Sequence, residues 1–143
     1  MATGIKRLIN LILVVCILCT LNSCASKENL FEETHQIFFR HLLNRIEPYE
    51  IEIHSLDAYK VENRFYYHVV YSSVSSLTSD WEEWDMVYFG SNQIDNYFNL
   101  NWENWGDMEK HRDAYYAAVE KGEHKAFSRE EIDRYVNAFY SSK

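Results

Sequence analysis

Cysteine stops early in this chain: Cys16, Cys19 and Cys24 all lie within the first 24 of 143 residues. From residue 25 onward there is no thiol for a disulfide, a zinc site or a cysteine nucleophile, so stability there has to come from packing. Proline is scarcer, with Pro48 alone, and glycine is limited to Gly4, Gly90, Gly106 and Gly122. A glycine-rich phosphate loop is thereby excluded, and neither a nucleophile elbow nor a paired-histidine zinc motif is present. Positive charge is also short, with 14 Lys and Arg against 22 Asp and Glu for a formal net of −8. Such a surface repels nucleic acid and anionic headgroups; it keeps the protein soluble and favours a basic partner. Aromatic residues are plentiful: the 4 Trp, 11 Tyr and 8 Phe all follow Cys24, which argues against disorder.

The first residues have the layout of an export signal. Lys6 and Arg7 precede an apolar run, Leu8 to Leu21, broken by Asn10 and Thr20. A helix crossing a bilayer needs about 20 apolar residues, whereas a signal core needs about 7–15, so the run is too short to span. It ends in Leu21-Asn22-Ser23-Cys24, which resembles the lipobox of bacterial lipoproteins: an aliphatic residue, a variable one, a small one and the modified cysteine. The resemblance covers residues 1–24 and implies cleavage between Ser23 and Cys24, with a diacylglycerol on the Cys24 sulfur. Plain cleavage without lipidation, or a short anchor helix, is the alternative. A thiolate is the nucleophile such a thioether requires, and two acyl chains, at about 0.8 kcal/mol per methylene, attach stably where one is marginal. The expected organisation is a removed signal peptide (1–23), a lipidated tether (24–27) and a single globular domain (28–143). Its expected place is the bacterial cell envelope: the outer membrane in a Gram-negative organism, the outer face of the plasma membrane in a Gram-positive one. Loss of Lys6 and Arg7 would leave 12 basic against 22 acidic residues, a net of −10.

Within 28–143 the hydrophobic pattern predicts an α+β fold. Glu28 to Glu47 reads as a helix with Leu30, Phe31, Thr34, Ile37, Phe38, Leu42 and Ile46 on its apolar face, ended by Pro48. His35 and His41, six apart, do not share a helical face as a metal pair. Alternation over Tyr49 to Ser55 predicts a half-buried strand with Tyr49, Ile51 and Ile53 inward; Tyr59 to Val61 turns at Glu62-Asn63 into a central strand, Arg64 to Tyr71. Ser72 to Asp80 reads as a loop. Trp84 to Phe89 and Ile94 to Trp102 read as a hairpin around Gly90-Ser91-Asn92, giving an antiparallel sheet of about four strands. Two helices follow. Asp107 is placed to cap the first, with Met108, Tyr115 and Val119 inward and Gly122 as its stop. Ser128 and Glu131 form a capping box for the second, with Phe127 and Ile132 as a hydrophobic staple. The expected architecture is an N-terminal helix, the sheet, and two C-terminal helices packed on the sheet, all helices covering one face.

The candidate site is Trp81-Glu82-Glu83-Trp84-Asp85 with its echo Trp102-Glu103-Asn104-Trp105. Indole faces beside Glu82, Glu103 or Asn104 are what a carbohydrate-binding surface uses. A 120-residue domain also readily spends four tryptophans on its core, and that reading is favoured. Glu82 and Glu83 diverge on a strand, so a glycosidase pair would need Glu103 or Asp107 brought across by the fold. His68, His111 and His124 read as packed or lone residues, and Asp95, Asn96, Asn99 and Asn101 lack calcium-loop spacing. The expectation is a non-catalytic binding module with no cofactor or metal, touching membrane lipid through Cys24. Its partner would be a basic protein, as for an anchored inhibitor or immunity protein, or a glycan; nucleic acid is not expected.

Overall fold

A computed structural model describes residues 32–44, 46–47, 49–102 and 106–143. The signal segment, Cys24, Pro48, Glu103 and Trp105 lie outside them. Contacts divide the chain into Met1–His35 and Gln36–Lys143. Of the first unit only helical residues 32–35 are described, and the fold below is that of the second.

The helix α1 is described over residues 32–43. It stops at Asn44, a turn-former, short of the end expected at Glu47. From Gln36 on it buries Phe38, Phe39, Leu42 and Leu43. Strand β1, Ile51–Val61, is one element where two were expected. A bulge between Ile53 and Ser55 shifts its register, so Ile51 and Ile53 before it and Leu56 and Ala58 after it face the same way despite the broken alternation. Tyr49 falls outside the strand in a turn and is 75 % exposed, against the expectation that it points inward. Glu62, at a positive φ of 53°, turns the chain into β2, Arg64–Val74. β2 runs three residues past its expected end, and β3, Trp81–Gly90, starts three before its own. The loop is therefore only 75–80. β4 is short, Asn96–Asn99, because Trp102 N–H bonds back to Asn99 O and the chain turns away.

The sheet order is β4-β3-β2-β1-β5, antiparallel throughout. The fifth strand, Glu123–Ala126, was not expected: Glu-His-Lys-Ala has no apolar alternation and is held by pairing with Asp57–Lys60 at the edge. β4 and β5 lie at opposite edges, so helix α2, Glu109–Lys121, which joins them, has to cross a face. Four strand spacings of about 4.8 Å come to about 19 Å, and 13 residues at about 1.5 Å come to about 20 Å, so the helix is just long enough. Its Tyr115 and Ala118 pack with Tyr66, Val87, Phe89 and Phe98. Val119, expected inward, is 41 % exposed, because Ala118 holds the buried position three residues after Tyr115. Asp107 does not cap α2: it lies in a 3-10 turn, Gly106–Met108, and the N-cap position falls on Met108 with no side-chain bond.

Gly122 does end α2, and the reason is space. Its φ is −80°, but a Cβ there would stand 2.5 Å from Ala118 O and 2.9 Å from Lys60 O, where the chain enters β5. Helix α3, Arg129–Ser141, carries the expected capping box, with Ile132 and Tyr135 buried and Phe127 buried before it. It packs on the other face with α1: Phe38 stacks on Tyr67 at 4.3 Å and Phe39 on Tyr135 at 4.7 Å. Helices therefore cover both faces, α2 one and α1 with α3 the other, correcting the expected one-sided arrangement.

Candidate functional site

Strand alternation decides where the tryptophans go. In β3 the even residues Glu82, Trp84, Met86 and Tyr88 share the α1–α3 face; Trp81, Glu83, Asp85, Val87 and Phe89 share the α2 face. Three residues apart on a strand means opposite faces, so Trp81 and Trp84 cannot grip one ligand as a pair. Trp81 is 54 % exposed and Trp102, beyond the turn, 64 %, so neither is core, correcting the expected packing role. Trp84 is half-buried. Glu103 and Trp105 lie outside the described residues.

Beyond the reach of α1, the α1–α3 face opens into a cleft of about 480 Å³ at the β2–β3 hairpin. Register assembles its floor: Tyr71 lies opposite Trp84, Ser73 opposite Glu82, and Tyr88 stands between Tyr67 and Tyr97 on its two neighbours. The hairpin loop forms one wall with Ser75, Ser76, Leu77 and Thr78, and Tyr97 the other. The loop's hydroxyls and a tight backbone turn hold it: Ser75 Oγ accepts from Leu77 N–H, Thr78 Oγ1 from Asp80 N–H, and Ser75 N–H donates to Asp80 O. Burial pushes the Tyr71 and Tyr88 phenols above their ordinary range, the adjacent hydroxyl and Tyr97 acting on each to a lesser degree. Both stay neutral, 3.5 Å apart, and donate or accept rather than carry charge. Among the described lining residues Glu82 is the one carboxylate. The described lining thus offers apolar rings, a row of hydroxyls and a single negative group.

The chain matches no family model, no curated protein and no solved structure.

The α2 face carries three imidazoles in polar contacts. His68 Nε2 lies 2.7 Å from Asp85 Oδ1, His124 Nε2 2.7 Å from Asp57 Oδ1, and His54 Nε2 2.7 Å from Ser72 Oγ. His68, in the central strand, is packed edge-on to Tyr115 as well as paired. The exposed His54–Ser72 contact joins a base to a hydroxyl, but no described carboxylate orients that imidazole as a triad requires. Among the described residues no three His, Cys, Asp or Glu side chains converge on a metal position. Nor is any described helix long and apolar enough to cross a membrane.

Sequence reasoning reached Glu82 and Trp84 but missed Tyr71, Ser73, Tyr88 and Tyr97. The parity of β3 points to Tyr88; Tyr71 and Tyr97 depend on register, which no local pattern carries.

Proposed function

We propose that this chain is a bacterial envelope lipoprotein, held at the membrane by acyl chains on Cys24, whose domain binds a ligand in the Tyr71–Trp84–Tyr97 cleft without transforming it. The observation that carries the binding half is the cleft itself, where among the described residues aromatic faces and neutral hydroxyls surround a single carboxylate. Acid–base chemistry across a bond asks for a second titrating group opposite the first, whereas binding asks for the surface described here. The acidic balance favours a basic protein partner, as in an anchored inhibitor.

A glycan is the second reading, favoured by Trp84 and Glu82 on one face of one strand with Tyr97 beside them. Intrinsic fluorescence titrated with a panel of oligosaccharides tests it: a saturable change that disappears in Trp84→Phe supports a glycan, and no response from any member refutes it. The anchor is tested separately. Cys24→Ser should release the protein from membranes and abolish lipid labelling; unaltered membrane retention would refute lipidation.

A further inference from the structure

Beside the short β4 lies an edge stretch of β3 that nothing described closes. β4 opposes only Met86–Phe89 of β3, Asp85 O accepts from Leu100 N–H, and at 99–102 the chain turns away, leaving Trp81–Trp84 without a strand partner on that side among the described residues. The direction of the free backbone groups follows from the ladder. Leu100 N–H donates to Asp85 O and Asp95 N–H to Phe89 O, so odd-numbered residues of β3 aim their main-chain groups toward β4. By the two-residue repeat, Glu83 and Trp81 present their N–H and C=O outward at this edge.

Two other edge stretches are treated differently. On the outer side of β1, before β5 begins to pair, Leu56 O accepts from Phe127 N–H and Ile53 O from the Arg129 guanidinium. On the outer side of β4, Tyr97 N–H is taken by Asn96 Oδ1, and just past it Asn101 N–H by Asn99 Oδ1. Those edges are capped by the protein's own groups. Trp81–Asp85 also adjoins the cleft on one face, through Glu82 and Trp84, and carries the exposed Trp81 on the other.

Charge selects the occupant. From Phe65 to Glu109 there is no lysine or arginine, while Asp80, Glu82, Glu83 and Asp85 crowd this one edge. A second copy adding edge to edge would set these carboxylates against their equals, which disfavours it. Asp85 is already paired with His68, and an extended segment bearing lysine or arginine gains from Asp80, Glu82 and Glu83. We propose that the protein takes an extended basic segment of a partner polypeptide as an added β-strand along Trp81–Trp84, main chain to main chain at Glu83, with alternate side chains entering the cleft. This rests on the binding reading above and names the ligand class for the same site.

The probe is a capped synthetic octapeptide alternating lysine with valine. Titrated into the full domain at low salt, it should bind, weaken roughly tenfold or more between dilute and about 0.5 M salt, and slow hydrogen exchange at the Trp81 and Glu83 amides. Glu83→Pro removes the outward N–H at an edge position, where proline is tolerated, and should abolish binding with circular dichroism unchanged. Should that variant fail to fold, Asp80→Asn with Glu83→Gln should lower affinity and flatten the salt dependence. Amides at Trp81 and Glu83 already protected in the free protein, or a bound peptide that leaves their exchange unchanged, would overturn strand addition. Peptide binding lost in Trp84→Ala but retained in Glu83→Pro would overturn it too, while leaving the cleft reading intact. Absence of peptide binding beside a saccharide response that needs Trp84 would separate the two readings in the same way.

Discussion

Replacing Glu131 with glutamine tests how much of the C-terminal helix is held by one carboxylate. Its Oε1 accepts from Lys125 Nζ at 2.8 Å and its Oε2 from Ser128 N–H at 2.9 Å. Those bonds, the lysine's first and the backbone's second, hold its pKa down at about 2 against an ordinary 4.5. Fully counted, a depression of that size is an upper bound of roughly 3 kcal/mol. Lys125 is 39 % and Glu131 29 % exposed, so solvent screens most of it, leaving about 1 kcal/mol, or about 4 °C in Tm for a domain of this size. A depressed acid stabilises the fold above its unfolded value, and that contribution is lost as pH falls from about 4.5 toward about 2. Urea unfolding of wild type and Glu131→Gln should therefore differ by about 1 kcal/mol near neutral pH and converge toward about pH 2. Ser128→Ala provides the contrast. Its hydroxyl accepts from Glu131 N–H whatever the carboxyl's charge, so its loss, also about 1 kcal/mol, should persist at low pH. If the Glu131→Gln and wild-type curves stay parallel down to the lowest pH, the charge contributes nothing and the reasoning fails.

Phe38→Ala should cost about 3–5 kcal/mol in denaturant unfolding, because a fully buried ring stacked on Tyr67 leaves a cavity under α1. Gly122→Ala should lower Tm by about 4 °C or more despite an ordinary φ, since its Cβ meets two carbonyl oxygens; an unchanged Tm would show that the α2–β5 junction yields. In alkali, ultraviolet titration should show Tyr67, Tyr88 and Tyr115 ionising only as the protein unfolds, because burial raises all three. Their burial as neutral phenols contributes fully below about pH 10 and is lost progressively as pH rises above it, and ionisation of all tyrosines with a common midpoint at about pH 10 and the fold intact would refute this.

The α+β class, the C-terminal capping box and the Gly122 stop were legible because each is written in neighbouring residues. The continuity of β1 was hidden by a single inserted residue, which breaks the alternation that defines a strand while preserving the face it buries. β5 was hidden for the opposite reason: its residues have no strand character, and it exists because α2 delivers them to a waiting edge. The tryptophan motif illustrates the limit at the site. Its residues looked like a cluster in one dimension, and a repeat of two divided them between faces. The cleft was built from β2 and β4 side chains that only register could supply.

The position of β5 has a kinetic consequence. β1 to β4 follow one another as neighbours, so each pairing closes a short loop and the meander can zip from local contacts. β5 has to find β1 across more than sixty residues, Asp57 with Ala126, after α2 has crossed the sheet. Until then Asp57–Lys60 is a second open margin. A stalled or truncated chain lacking its last twenty residues would therefore leave this margin of β1 adhesive where the finished protein covers it with β5.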